Sequence, residues 1–238
     1  MNEKRKNVKA QAMEAKLDKF VAAYHAALEN SDPKAVKISA GNVKMGSVPS
    51  VSTLPYLTCP GICRETCGPD CYAAKIANLR PTVAAAYAHN TALAVQDPES
   101  YFTQISAACR GYRFFRWHVS GDIINAAYFV GMVKVARENP HCVFLAFTKR
   151  FNVVNEWIDN NGPLPVNMKI LFSGWEEMQP ENPHKLPETN VLPKDHSGCW
   201  WDLPDGWTVC GGNCFECACA GVGCWKAESG ETVAFRKH

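Results

Sequence analysis

Cys59, Cys63, Cys67 and Cys71 recur at one interval, with three residues between neighbours, inside the segment TCPGICRETCGPDCYAAK from Thr58 to Lys75. Four thiols this close together point to disulfides, to zinc, or to an iron–sulfur cluster. A second group lies near the C-terminus and comprises Cys210, Cys214, Cys217, Cys219 and Cys224, with Cys199 a little upstream. Its CFEC run has the two-residue spacing that lets both sulfurs face one metal centre, in zinc knuckles and in iron–sulfur proteins alike. Structural zinc usually takes two such close pairs, and the first group offers none. The glycines and prolines of CPG and CGPDC instead suit a loop that wraps a larger object and donates backbone N–H groups to its sulfurs. The residues therefore favour iron–sulfur, with zinc as the alternative. Cys109 and Cys142 have no chelating neighbour in sequence and are expected to be buried free thiols.

The surroundings bear on the choice. The chain has 238 residues, 12 cysteines, 47% hydrophobic residues and a formal charge of +2. Those values fit one globular domain, long enough to build a core without covalent staples. The polar N-terminus MNEKRKNVKAQAMEAK lacks the apolar centre of a secretory signal, and no apolar run approaches a bilayer span. A cytoplasmic setting without membrane contact is expected, and in a reducing compartment clustered cysteines hold metal more often than they pair. Near-neutral charge argues against a dedicated phosphate-backbone binder.

The elements that must position these residues read as α/β. Apolar residues at helical spacing, among them Leu17, Phe20, Val21, Tyr24 and Leu28, predict an amphipathic helix over Val8–Leu28. A short strand and a Gly/Ser/Pro loop then deliver the first cysteine group. Tyr72–Val95 is helical in pattern with a break at Pro81, and Pro98–Cys109 predicts a further helix. RFFRWHVSG, CVFLAFTKR and MKILFSGW are short apolar runs consistent with buried strands, separated by helical segments. That alternation predicts parallel strands with right-handed crossovers. Glu176–Pro204 reads as a long loop, and Thr232–Phe235 as a closing strand.

In such folds the site lies beyond the carboxyl ends of the strands. His118, Ser120 and Asp122 fall there after the first apolar run, Thr148, Lys149 and Arg150 after the second, and Ser173, Glu176 and Glu177 after the third. Asp122 and Lys149 are the candidate catalytic residues. A plainer role is available to each, since Ser-Gly-Asp can cap the following helix and Lys-Arg can open a solvated one.

TCPG, CYAAK, RWHVSGD, FTKR, the terminal CFEC and the closing VAFRKH together resemble the phage gene product 88 family, from about Lys37 to the C-terminus. That family is in turn distantly similar to radical S-adenosylmethionine (SAM) enzymes. The resemblance implies a bacterial or phage-encoded protein with a partial or complete (β/α) barrel and a [4Fe–4S] cluster at its mouth. It implies no reaction. It also implies a place for SAM, with Ser120, Gly121 and Asp122 as the cofactor-binding turn and Lys149 or Arg150 meeting a carboxylate or phosphate. Here the sequence departs from the pattern: a radical SAM loop spaces three ligands with gaps of three and then two, whereas Cys63, Cys67 and Cys71 have gaps of three and three, and Cys59 adds a fourth thiol.

The expectation is then one domain over 1–238, with an N-terminal helix at 1–32, an α/β barrel core at 33–198 carrying the first cysteine loop at 58–72, and a cysteine-rich extension at 199–238. Metal ligands are expected among Cys59, Cys63, Cys67, Cys71, Cys210, Cys214, Cys217 and Cys224, holding one or two [4Fe–4S] clusters, with Cys63, Cys199 and Cys219 as candidate spares. If one thiol of the first group stands aside, SAM can chelate the cluster and the protein is an enzyme with a small-molecule substrate or an electron donor. If all four bind, it is an electron carrier, a sensor or a structural centre. The rival is a cluster- or zinc-stabilised binding module for nucleic acid, using Lys4, Arg5, Lys6 and the Arg110–Arg116 segment.

Overall fold

A computed structural model describes residues 3–30, 35–175, 178–192 and 202–236, with side chains from residue 8 onward. The N-terminal helix α1 (Glu3–Glu29) lays Met13, Leu17, Phe20 and Tyr24 against helices α2 (Tyr72–Leu79) and α3 (Pro81–Gln96), closing a satellite core with Leu54, Tyr56 and Ala88. Proline without an N–H is tolerated in a first helical turn, so Pro81 starts α3 where the sequence pattern breaks. Helix α4 (Pro98–Cys109) also opens on proline, and Asp97 caps it by accepting from the Ser100 amide at 3.0 Å.

Among the described residues seven strands follow the order β1-β2-β3-β4-β5-β7-β6, and their six pairings are all parallel. They are β1 (Ser50–Val51), β2 (Phe114–Trp117), β3 (Val143–Thr148), β4 (Met168–Ser173), β5 (Glu188–Leu192), β6 (Trp207–Val209) and β7 (Thr232–Arg236). Helix α5 (Ala126–Glu138) joins β2 to β3, and α6 (Phe151–Asn161) joins β3 to β4. The central strands are apolar on both faces because both are covered. Phe144, Ala146, Ile170 and Phe172 join the main core with α4, α5 and α6, while Leu145 and Leu171 meet Met45, Trp225 and Val233 on the other side.

The tail supplies that second cover. Its helix α7 (Cys214–Ala220) contributes Ala218 to this layer, and Asn213 caps the helix by accepting from the Phe215 and Glu216 amides. The expected closing strand is β7, inserted between β5 and β6. The expected long loop over Glu176–Pro204 holds β5, a parallel strand rather than irregular chain. The sheet is open, with β1 and β6 as its edges, so the full closure of a barrel is not formed by the described strands.

Candidate metal centres at the carboxyl edge of the sheet

Because the strands are parallel, the loops after β1, β2, β3 and β4 emerge along one edge, and the first cysteine group lies in the loop after β1. Two short 3-10 turns, Gly61–Arg64 and Gly68–Asp70, fold this loop back on itself, and the Tyr56 hydroxyl donates to the Gly68 carbonyl at 2.9 Å. The fold-back brings all four thiols into one space. Cys63, buried, is in hydrogen-bond contact with both Cys59 and Cys67, which pushes its thiol far up. Cys67 is pulled down to about 6, first by the Cys63 hydrogen bond and further by the Lys149 ammonium. Burial pushes Cys71 up to about 11, with Cys59 and Cys67 adding repulsion. The Ala74 amide in the first turn of α2 donates to the Cys71 sulfur at 3.5 Å, the favourable end of a helix for an anion. Buried thiolates that repel one another are relieved by a soft cation.

The turn after β2 is tied to its neighbours by Asp122. Its Oδ1 accepts from the Thr148 hydroxyl at 2.6 Å and the Ile123 amide at 2.7 Å, and its Oδ2 from the Lys149 amide at 2.8 Å. The Asp122 amide donates to the Thr58 hydroxyl at 3.1 Å, one residue before the first cysteine. Both carboxylate oxygens of Asp122 therefore have protein donors. Burial still raises the carboxyl above its ordinary value against the pull of those donors. Gly121, at φ +79°, packs where a side chain would collide with the Thr53 and Thr58 hydroxyls. Ser120 is buried, and its hydroxyl has no hydrogen-bond partner among the described residues. The Lys149 ammonium donates to the Ser173 hydroxyl at 2.6 Å, and Arg150 donates to the carbonyls of Ile123 and Thr58 at 3.1 Å. Asp122, Thr148, Lys149 and Arg150 thus hold the cysteine loop against the ends of β2 and β3.

Below this edge His118 sits at φ 53°, fully enclosed. Its Nε2 is 3.0 Å from the Tyr128 hydroxyl, which is 2.9 Å from that of Tyr101. Burial pulls the imidazole down to about 3, so it is neutral across the physiological range.

The tail group surrounds α7. Cys210 is fixed by its amide donating to the Ala234 carbonyl of β7 at 2.8 Å, and Cys214 by its amide donating to Lys44 at 2.9 Å. Burial pushes Cys224 up to about 12, with Cys210, Cys214 and Cys217 adding repulsion and Arg116 opposing it. Burial likewise raises Cys217, again with Cys210 and Cys214 as neighbours. Four thiols share this space too. Gly211 brings backbone so close to the Cys217 sulfur that a Cβ there would lie 3.3 Å from it. Cys219 is exposed, and Cys199 lies outside the described residues.

The two groups are neighbours. The Tyr72 hydroxyl donates to the Val119 carbonyl at 2.8 Å and lies within electrostatic reach of Cys71, Cys214 and Arg116 together. Among the described residues no three His, Cys, Asp or Glu side chains are already set around a single ion position. In the first group Cys63 contacts Cys59 and Cys67 as a hydrogen-bonded neighbour instead, and in the tail the four thiols are electrostatic neighbours.

Sequence reasoning missed Thr58, Tyr72 and the true place of Arg116. Arg116 alternates with apolar residues in FFRW, and a lone cation in a buried strand was the available signal. Its burial also removes it from the basic surface expected over Arg110–Arg116. The side chains of Lys4, Arg5 and Lys6, and the residues Glu176 and Glu177, lie outside the described residues. Cys109 and Cys142 are fully buried and touch each other through their thiols, at the end of α4 and the start of β3. No described helix is long and apolar enough to cross a membrane.

No curated protein and no solved structure matches the chain significantly. A family model described as gene product 88 matches residues 4–231, nearly the whole length. With the cysteine loop, the tail cysteines and every described strand but β7 inside that match, the chain belongs to the gene product 88 family.

Proposed function

We propose that this protein carries two iron–sulfur centres on a radical-SAM-like, partial-barrel frame. Cys59, Cys63, Cys67 and Cys71 hold one [4Fe–4S] cluster, and Cys210, Cys214, Cys217 and Cys224 hold a second. The observation that carries this is the convergence of four thiols in each of two sets, with Cys71 of one and Cys214 of the other within electrostatic reach of the Tyr72 hydroxyl. A donor set of sulfur alone selects soft metals, iron–sulfur clusters and zinc. When bound, such clusters accept and release single electrons. The protein's own residues do the rest: α2 and Lys149 offset negative charge at the first set, Arg116 does so at the second, and Asp122 keeps the loops in register.

Because all four thiols of the first group share one space, a fully ligated cluster is favoured over one with an iron open to SAM. The engaged carboxylate of Asp122 supports the same choice, since its oxygens already have donors. The role is then electron transfer or redox sensing, with an external electron donor as partner. The test is protein purified without oxygen and reduced, its electron paramagnetic resonance spectrum recorded with and without SAM. An unchanged cluster signal and no 5′-deoxyadenosine are expected. A SAM-dependent shift in the spectrum would assign an open cluster and a SAM enzyme, and colourless protein with tightly bound zinc would replace the cluster reading with a zinc one.

A further inference from the structure

Arg116 is a permanent cation, 8% exposed, on β2, the strand next to the β1 edge of the parallel sheet. Such a charge is strongly unfavourable in the interior unless an anion answers it. Among the described residues Arg116 makes no ion pair with a carboxylate. Its Nη1 donates instead to the Cys214 sulfur at 3.2 Å and lies 3.3 Å from the Met45 sulfur, while its Nε has no hydrogen-bond partner among the described residues. The guanidinium carbon stacks 4.4 Å from the centre of the Phe147 ring. A thioether and a neutral thiol are weak acceptors, and a ring face offsets only part of the desolvation. The anion this site calls for is therefore the tail thiolates themselves. Four thiolates around zinc or an oxidised four-iron cluster leave net negative charge, beside which a guanidinium is strongly favoured.

We propose that Arg116 is the built-in counter-cation of the tail centre, a positioning residue that favours the thiolate, metal-bound state and disfavours the empty one. This rests on the reading that Cys210, Cys214, Cys217 and Cys224 hold metal. It holds whether the metal is iron–sulfur or zinc, because the two present the same charge to the guanidinium.

The consequence is a reversal of sign. With metal bound, Arg116 stabilises. Without it, Arg116 is a buried charge lacking its partner, and replacing it by an apolar chain of similar length stabilises the fold.

The experiment uses the full chain carrying Cys71→Ala, so that the tail centre alone is loaded, and compares Arg116→Met, Arg116→Lys and Arg116→Gln. Arg116→Met is expected to release metal to a chelator about ten- to a hundredfold faster than its parent, the range seen when groups supporting metal ligands are removed. Arg116→Lys is expected to stay within a few-fold, and Arg116→Gln, which keeps donors without charge, to follow Met. In urea, metal-free Arg116→Met is expected to unfold at a higher midpoint than the metal-free parent, and the loaded variant at a lower midpoint than the loaded parent. Destabilisation of both forms would show an ordinary packing role and overturn the proposal, as would a Gln variant that behaves like Lys. If the parent's tail takes up no metal, the metal-centre reading itself falls and the counter-cation with it.

Discussion

Replacing Asp122 by alanine removes the acceptor of three hydrogen bonds, from the Thr148 hydroxyl and the Ile123 and Lys149 amides. A hydrogen bond to a charged acceptor contributes about 1.5–3 kcal/mol, and each buried donor left without a partner costs about 1–3 kcal/mol. Summed without correction, these exceed about 5 kcal/mol. Alanine also relieves the desolvation that raises the carboxyl, so the expected net loss is about 3 kcal/mol. That is a large share of a typical total of about 5–15 kcal/mol. The assay is urea unfolding of the metal-free chain followed by circular dichroism. Thr148→Val should lose about 1 kcal/mol, and the double variant less than the sum, because valine removes the hydroxyl that alanine orphans. The sign with pH also follows. The folded carboxyl titrates above its unfolded value of 3.8, so ionising Asp122 costs more in the fold than in the unfolded chain: the stability of the native protein falls by that difference as pH rises from 3.8 through the folded pKa and is level above it, where the carboxylate's hydrogen bonds supply the net contribution given above. A loss below about 1 kcal/mol, or strict additivity with Thr148→Val, would refute the role of Asp122 as the tie between the β2 and β3 loops.

Gly121→Ala forces a side chain at φ +79° into the Thr53 and Thr58 hydroxyls and is expected to lower stability by about 2 kcal/mol or more, read as a fall in urea midpoint at unchanged slope. Cys71→Ala and Cys217→Ala are each expected to lose metal, whereas Cys109→Ser and Cys142→Ser keep it; a folded but metal-free Cys109→Ser would overturn the ligand assignment. His118 is held neutral, with its folded pKa near 3 against an ordinary 6.5. Its contribution is therefore complete above 6.5 and lost as pH falls from there toward 3, by about 2–3 kcal/mol at pH 4.5. His118→Asn, which tolerates the left-handed backbone, should flatten that part of the stability profile, and an unchanged acid slope would count against it.

The three strands that carry the edge of the site were legible as RFFRWHVSG, CVFLAFTKR and MKILFSGW, because strands buried on both faces are continuous apolar runs. β5 was not, since ETNVL is short and polar and becomes a strand only by pairing between β4 and β7, the latter distant in sequence. The short strand expected ahead of the Gly/Ser/Pro loop is only an isolated bridge at Ser39, and β1 (Ser50–Val51) falls within the stretch read as loop: its pairing with β2 defines it, and its own residues do not. Among the site residues, the two cysteine groups announced themselves by spacing. Their proximity did not, because it depends on the tail folding over the face opposite α4, α5 and α6. Asp122 and Lys149 were placed correctly at strand ends, yet only the geometry reveals that the Asp122 carboxylate is engaged by Thr148, Ile123 and Lys149. Arg116 looked like part of a basic surface until the sheet enclosed it.

Two separate thiolate centres are the central claim, and metal content by centre tests it most directly. Iron and acid-labile sulfide are measured per folded chain, after purification without oxygen, in the wild type, in Cys71→Ala, in Cys217→Ala and in the double variant. The account predicts two clusters' worth in the wild type, half of that in each single variant and none in the double. Complete loss in either single variant would mean one shared centre, and zinc in place of iron and sulfide would contradict the iron–sulfur assignment.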